Sequence, residues 1–128
     1  MELNTHLKLN NSLNGKIVEL KVDYAKVELK TIETMVADEE GLIHGGFIFC
    51  AADYAAMACI NDPFVVLAKS TTKFIAPVKL GDIVTLEASI KEQDKNKATV
   101  EVVGKVEEKD IFKGEFLTAV LKQHVLSL

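Results

Sequence analysis

The segment at residues 41–61, GLIHGGFIFCAADYAAMACIN, constrains the fold of this chain more than any other. It consists almost entirely of small and apolar residues that favour helix, and Asn61-Asp62-Pro63 predicts where that helix ends. A helix that is apolar on every side cannot lie on a protein surface and must be surrounded by other elements. Its one acidic residue, Asp53, lies more than two turns into the helix and is therefore not an N-cap.

The rest of the chain alternates between apolar and polar residues, which is typical of strands. Residues 16–34 predict two strands that are broken near Asp23. Four further strands are predicted after the helix, at Phe64–Phe74, Ile83–Glu92, Ala98–Glu107 and Phe112–Leu126. An antiparallel sheet of about six strands, curled around the one long central helix, satisfies both patterns. We therefore predict an α+β chain with a single domain over residues 1–128.

The charged residues argue against two classes of protein. The net charge is −4 and all fifteen basic residues are lysine, whereas proteins that read nucleic acid use clustered basic faces and arginine forks. Residues 42–60 approach the length of a membrane span but contain His44 and the central Asp53, so we expect no span. The first fifteen residues lack the apolar region of a secretory signal, which predicts a cytoplasmic protein with Cys50 and Cys59 as buried, reduced thiols.

Two stretches carry a resemblance to a known family. GLIHGGFIFCAAD, and KFIAPVKLGDIVTLEASI after the helix, resemble the hotdog-fold acyl-CoA thioesterases, in particular the small enzymes of the phenylacetyl-CoA type. The shared pattern is a glycine, then His-Gly-Gly, then an aspartate nine residues after the histidine, and later a Pro-x-x-x-Gly-Asp turn. The matching residues are Gly41, His44, Gly45, Gly46, Asp53, Pro77, Gly81 and Asp82. The resemblance spans about residues 15–125 and implies the hotdog fold.

The resemblance also implies a site that cleaves thioesters. In the similar enzymes the aspartate acts as general base or nucleophile, and the N–H group of the glycine holds the carbonyl oxygen, usually across a dimer interface. These roles fall on Asp53 and Gly45. A second interpretation of Asp53 stays open, in which it bonds Tyr24, Tyr54 or a threonine in a structural polar network.

The glycine pair has a physical explanation that does not depend on the resemblance. Gly45 and Gly46 at a helix start leave their N–H groups unobstructed by side chains, at the positive end of the helix dipole, where an anion is stabilised. The carbonyl oxygen of a thioester fits such a position. His44 either supports that carbonyl or is a structural residue.

The chain departs from the family pattern at two places. Asp38 stands where many relatives have an asparagine six residues before the histidine, and a carboxylate near Asp53 would repel it or raise its pKa. The position of an assisting serine or threonine aligns with Leu67, a few residues before Ser70 and Thr71. We expect Asp38, Ser70 and Thr71, together with Gly46, to contact the substrate.

Three lysines surround the predicted strand at Phe64–Phe74 and the turn that follows: Lys69, Lys73 and Lys79. If they cluster, they can hold the phosphates of coenzyme A as point charges, and otherwise they form a solvated strand face. We expect no metal, because the three histidines lack the spacing of a zinc site, and no cofactor besides the coenzyme A portion of the substrate.

The sequence thus predicts a protein that binds an acyl-CoA or acyl-carrier thioester and hydrolyses it. It should be a homodimer or a tetramer, because one copy leaves a sheet edge and part of the helix uncovered. The rival function is a non-catalytic acyl-CoA sensor, because KFIAPVKLGD is also similar to the effector domain of bacterial repressors that sense malonyl-CoA. Those repressors carry an N-terminal helix-turn-helix, which the residues before the first strand cannot hold, so such a sensor would act through a protein partner.

Overall fold

The computed structural model describes all 128 residues and contains six strands and one long helix. The strands are β1 (Lys16–Lys21), β2 (Tyr24–Lys30), β3 (Val65–Phe74), β4 (Ile83–Asp94), β5 (Lys97–Val106) and β6 (Lys109–Val120). The long helix is α2 (Gly45–Ile60), and a single helical turn, α1 (Asn11–Asn14), precedes β1. Short 3-10 turns lie at Glu33–Met35 and Val125–Ser127.

All six strands join one antiparallel sheet in the order β1-β2-β4-β5-β6-β3. β2 pairs with β4 without a break, from Tyr24 opposite Ser89 to Lys30 opposite Ile83. β3 follows α2 in the chain but lies at the far edge of the sheet, where it pairs only with β6. The backbone groups on the outer edge of β3 are therefore without a partner strand in one chain.

The helix α2 lies against the inner face of this sheet and contacts all six strands. Nine of its sixteen residues are buried, and five of these nine are alanine. Small side chains let the helix approach the sheet closely, so most of the large side chains of the core come from the sheet, with Phe112 and Phe116 fully buried. This arrangement confirms the predicted α+β architecture.

The central helix begins at Gly45, as expected for the glycine pair at a helix start, so residues 41–44 of the apolar segment precede it. The residues just before it are extended: Leu42 forms an isolated bridge with Lys79, and Ile43 forms one with Val36. The first bridge holds the entrance to the helix against the loop between β3 and β4, and the second holds it against the residue that follows the 3-10 turn at Glu33–Met35. None of the helices combines the length and the apolar character needed to cross a membrane.

Two expectations are corrected by the structure. The last strand ends at Val120 rather than at Leu126, because Val120 pairs with Val65, the first residue of β3, and no strand remains beside the chain beyond it. Cys59 is buried as predicted, but Cys50 is exposed, and both thiols are free. Cys50 lies on a stripe of α2 that the sheet of one chain does not cover.

The start of the chain is attached to the end of α2 by the N-terminal strap, residues 2–5. Asn61 ends the helix in the left-handed conformation, with φ 56° and ψ 40°, and its N–H donates to the carbonyl of Met57 at 2.8 Å. Its side-chain oxygen accepts from the N–H of Asn4 at 2.6 Å, and its amide donates to the carbonyl of Glu2 at 2.9 Å. The next residue, Thr5, is buried.

Candidate functional site

The first turn of α2 presents two free backbone donors. Gly45 and Gly46 are the first two helical residues, and neither N–H donates to any acceptor in the chain. Two hydrogen bonds fix the extended segment before them. The N–H of His44 donates to the carbonyl of Met35 at 2.9 Å, and the N–H of Ile43 donates to the carbonyl of Val78 at 2.8 Å. The two donors are thus held in place at the positive end of a 16-residue helix, where they can receive a carbonyl oxygen or an anion.

Two aromatic rings lie close to the glycine pair. A Cβ atom built on Gly45 would lie 3.1 Å from the ring of Phe74, and one built on Gly46 would lie 3.1 Å from the ring of His44. The His44 side chain makes no capping hydrogen bond, and its ring meets that of Phe47 edge-on at 6.2 Å. The structure therefore brings together His44, Gly45 and Gly46, as the sequence predicted, and adds Phe74.

Asp53 lies on the third turn of α2, and its carboxylate has no hydrogen-bond partner in the chain. Its Oδ1 atom is fully buried and unpaired. Burial raises the pKa of Asp53 from its ordinary value of 3.8 to about 6. The alternative polar network, in which Asp53 bonds a tyrosine or a threonine, is not formed within one chain. The hydroxyl of Tyr24 donates to Glu87 instead, and Tyr54 is buried without a hydrogen bond to Asp53.

The free donors and the buried carboxylate are far apart within one chain. Gly45 and Asp53 are separated by eight residues, and at 1.5 Å of rise per residue this is about 12 Å along the helix axis. A general base and an oxyanion donor must both lie about 3 Å from the reacting atoms. The Gly45 donor and the Asp53 carboxylate of one chain therefore cannot act on the same thioester.

Asp38 has a local role in the loop before α2. Its Oδ1 accepts hydrogen bonds from the N–H groups of Glu40 at 2.9 Å and Leu42 at 3.1 Å, and the residue is exposed. Burial is the one cause of the raised pKa of Asp53, so within one chain Asp38 does not contribute the repulsion that the sequence suggested. An asparagine oxygen could accept the same two hydrogen bonds.

The candidate residues on β3 are divided between the two faces of the sheet. Lys69, Thr71 and Lys73 are exposed on the outer face, whereas Ser70 points inward and its Oγ is buried without a hydrogen-bond partner. Ser70 and Asp53 carry the only two buried, unpaired side-chain polar atoms in the chain. Lys79 is not on the strand at all, since it lies in the loop that leads to β4.

Sequence reasoning missed a pair of adjoining cavities beside the helix start. The inner cavity, of about 320 Å³, is lined mostly by apolar residues, among them Phe74 and Ile75, and it reaches Gly45. The outer groove, of about 470 Å³, has a charged rim. The two cavities share four lining residues: Leu42, Pro77, Val78 and Ile111. The sequence feature that indicates these cavities is the apolar run FIAPV at residues 74–78. Its first two residues, Phe74 and Ile75, are half exposed in the structure.

Comparison with known families identifies the superfamily to which this fold belongs. The model of the thioesterase superfamily matches residues 40–112, which include the helix, the glycine pair and Asp53. The chain therefore belongs to the thioesterase superfamily, and its curled sheet around one helix is the hotdog fold. The family residues identified in the sequence lie in the matched region, but the match does not assign a reaction to them.

The names of the proteins similar to this chain indicate different functions. An uncharacterized protein, PH1136 from Pyrococcus horikoshii, is 46% identical, with a TM-score of 0.97 over 98% of this chain and 97% of that one. A methylthioribose-1-phosphate isomerase from Aquifex aeolicus is 48% identical over 94% of this chain, but the match is 26% of that protein. The transcription factor FapR of Halalkalibacterium halodurans is 30% identical over 80% of this chain and 56% of that protein. This chain thus spans about a quarter of the isomerase and just over half of the transcription factor.

Proposed function

We propose that two copies of this chain form a composite site that binds an acyl thioester and hydrolyses it. The observation that carries the proposal is the buried, unpaired carboxylate of Asp53 with a pKa of about 6, on the same helix as two free N–H donors. Membership of the thioesterase superfamily supports a thioester as the substrate class. A buried carboxylate without a partner costs stability, and such costs are retained mainly at functional sites.

The proposed reaction uses the Asp53 carboxylate of one chain and the Gly45 N–H of the other. Asp53 takes a proton from water, and the resulting hydroxide attacks the carbonyl carbon of the thioester. The N–H of Gly45 holds the carbonyl oxygen as it becomes negative. The C–S bond then breaks, and the leaving thiolate takes up the proton, so that a carboxylic acid and a free thiol are released. A pKa near 6 suits a general base at neutral pH, because the group is ionised yet still basic.

A second copy is required because Gly45 and Asp53 of one chain are about 12 Å apart along the axis. β3 offers the means of assembly, since its ten residues form a sheet edge that no other element covers. A long, open edge strand is prone to pair with another strand. Antiparallel pairing of two β3 strands would extend the sheet and bring the uncovered stripe of one α2, with Gly46 and Cys50, toward that of the other.

Hydrolysis is tested by measuring thiol release from a panel of acyl-CoA substrates, with Asp53→Asn as the variant. The variant should bind the thioester but lose activity. The Gly45 donor is tested by Gly45→Pro, because proline at the first helical position lacks the N–H but keeps the helix. The backbone of His44, at φ −64° and ψ 127°, suits a residue before proline. Gly45→Ala is the matched control, since it adds a Cβ atom but keeps the N–H.

Mixing the two inactive proteins tests whether the site is composite. After subunits exchange, a heterodimer of Asp53→Asn and Gly45→Pro chains contains one intact site, so activity should return to about a quarter of the wild-type value. A site contained in one chain predicts no recovery. Sedimentation of the wild type should show a dimer or a larger assembly, and a monomer with full activity would exclude the composite site.

A non-catalytic acyl-thioester sensor is the second candidate function. One argument for it is the 30% identity to a transcription factor. The other is that no serine, threonine or asparagine forms a hydrogen bond with Asp53, so no such side chain assists it in catalysis within one chain. The acyl-CoA panel separates the two functions. Tight binding of a thioester by the wild type without release of thiol would support the sensor.

A further inference from the structure

Two lysines face each other across the edge of the sheet. Lys73 on β3 is directly opposite Lys113 on β6, and both are exposed on the outer face. Their inward neighbours, Phe74 and Phe112, are also opposite each other, and the two rings meet edge-on at 5.3 Å. Directly opposite residues of antiparallel strands lie about 4.5–5.5 Å apart at Cα, so two like charges here destabilise the sheet.

No carboxylate neutralises this pair. The ion pairs of the chain include neither Lys73 nor Lys113. Glu115, two residues along β6 on the same face, is engaged by Lys91. Lys69 lies on the same face of β3 and adds a third unpaired positive charge. On a chain whose net charge is −4, these lysines form a local region of positive charge that attracts anions.

We propose that Lys73 and Lys113 together bind phosphate groups at the nucleotide end of a coenzyme A thioester. The identity of this ligand rests on the proposed function. The pair is close to the thioester site, because Phe74 follows Lys73 and its ring lies against Gly45 and lines the inner cavity. The pantetheine arm would pass from that cavity around the end of β3. The excess of negative charge on the chain as a whole disfavours an acidic carrier protein as the ligand.

The outer groove is a poorer phosphate site although it also contains two lysines. Lys79 and Lys109 line it together with three carboxylates, those of Glu40, Asp82 and Glu107. These carboxylates outnumber the lysines and would repel a phosphate. The Lys73–Lys113 pair is therefore the better position, and Lys113 is a contact that the sequence analysis did not name.

The probe for this site is adenosine 3′,5′-bisphosphate, which carries phosphates but no thioester. Its dissociation constant is measured by calorimetry for the wild type and for the double variant Lys73→Gln/Lys113→Gln. We expect the double variant to bind about tenfold or more weakly, as two exposed charge contacts imply, and the wild-type affinity to fall as salt rises. No binding to the wild type, or equal binding to both proteins, would overturn the proposal.

Two further double variants serve as comparisons. Lys95→Gln/Lys97→Gln removes the same amount of charge, but beside the first residues of β3. Lys97 pairs with Ala119 of β6, and Ala119 pairs with Val66 of β3. Seven residues of β3 separate Val66 from Lys73, about 23 Å, so this variant should weaken binding less than about twofold. A tenfold loss confined to Lys79→Gln/Lys109→Gln would place the phosphates in the outer groove and refute the assignment.

Kinetics distinguish this proposal from the proposed function. If the chain hydrolyses thioesters, Lys73→Gln/Lys113→Gln should raise KM for an acyl-CoA and leave KM for the matching acyl-pantetheine, which lacks the nucleotide, unchanged. Equal KM values for acyl-CoA in wild type and variant would refute the phosphate site while the hydrolase remains. Absence of any hydrolysis, with the bisphosphate still bound through both lysines, would refute the hydrolase and support the phosphate site.

Discussion

Cys50 lies one helical turn before Asp53, and the ionisation of its thiol depends on that carboxylate. Burial raises the pKa of the Cys50 thiol, and the negative charge of Asp53 raises it further. The two residues share the stripe of α2 that the sheet leaves uncovered. The thiol is therefore a reporter of the charge at position 53.

At a protein concentration low enough to dissociate the proposed dimer, alkylation of Cys50 should be slow at pH 8 and faster in Asp53→Asn, because removing the negative charge lowers the pKa of the thiol and increases the thiolate fraction. Mass spectrometry after treatment with iodoacetamide measures the rate. Cys59 is the internal control, since burial and the charge of Asp23 raise its pKa to about 12 and it should react in neither protein. Equal rates for Cys50 in both proteins would contradict the electrostatic coupling.

The rate of thioester hydrolysis should depend on the ionisation of Asp53. A general base must be deprotonated, so kcat/KM should rise about tenfold per pH unit below pH 6 and reach a plateau above it. Asp53→Asn should lower kcat by about 100-fold or more and remove this dependence. An unchanged profile in the variant would show that another group is the base.

The same pKa predicts how stability depends on pH. Because the pKa of Asp53 is raised on folding, its contribution favours the folded state below pH 3.8 and is lost as the pH rises through about 6. The Asp53→Asn variant has no carboxyl group at this position and does not undergo this loss. The free energy of unfolding of the variant minus that of the wild type should therefore increase between pH 4 and pH 7, by up to about 3 kcal/mol. Urea denaturation at both pH values measures the difference. A variant that is less stable at pH 7 would show that the carboxylate has a stabilising partner in the assembled protein.

Two substitutions at Asp38 separate its charge from its hydrogen bonds. Asp38→Asn keeps an oxygen for the N–H groups of Glu40 and Leu42 and should match the wild type in stability. Asp38→Ala loses both contacts and should destabilise the protein by about 1 kcal/mol. If Asp38→Asn changes kcat while the melting temperature is constant, then Asp38 approaches the reacting atoms in the assembled protein.

The architecture could be predicted because each element is encoded by a local pattern. The alternation of apolar residues identified six strands, and the helix apolar on all sides required a sheet to surround it. In β5, the alternate residues Ala98, Val100, Val102 and Gly104 are buried, whereas Val106 at the end of the strand is only partly buried. Element ends were less accurate, because they depend on partners: the last strand ends where β3 begins beside it, which no local pattern records.

The site was predicted only where its residues are close in sequence. His44, Gly45 and Gly46 form one turn, so their proximity follows from helix geometry. The contact of Phe74 with Gly45 and the pairing of Lys73 with Lys113 depend on strand register between distant segments. Helix hydrophobicity also implied that Cys50 is buried, whereas one sheet covers only part of the helix circumference.

The attachment of the N-terminal strap to Asn61 implies that two distant parts of the chain open together. The side chain of Asn61 holds the backbone of Glu2 and Asn4, while its own N–H closes the last turn of α2. Hydrogen exchange should therefore protect the amide of Asn4 and those of the last helical turn to similar extents. Deleting residues 1–5 would then increase exchange at the carboxyl end of α2 first and leave the amides around Asp53, two turns closer to the helix start, protected.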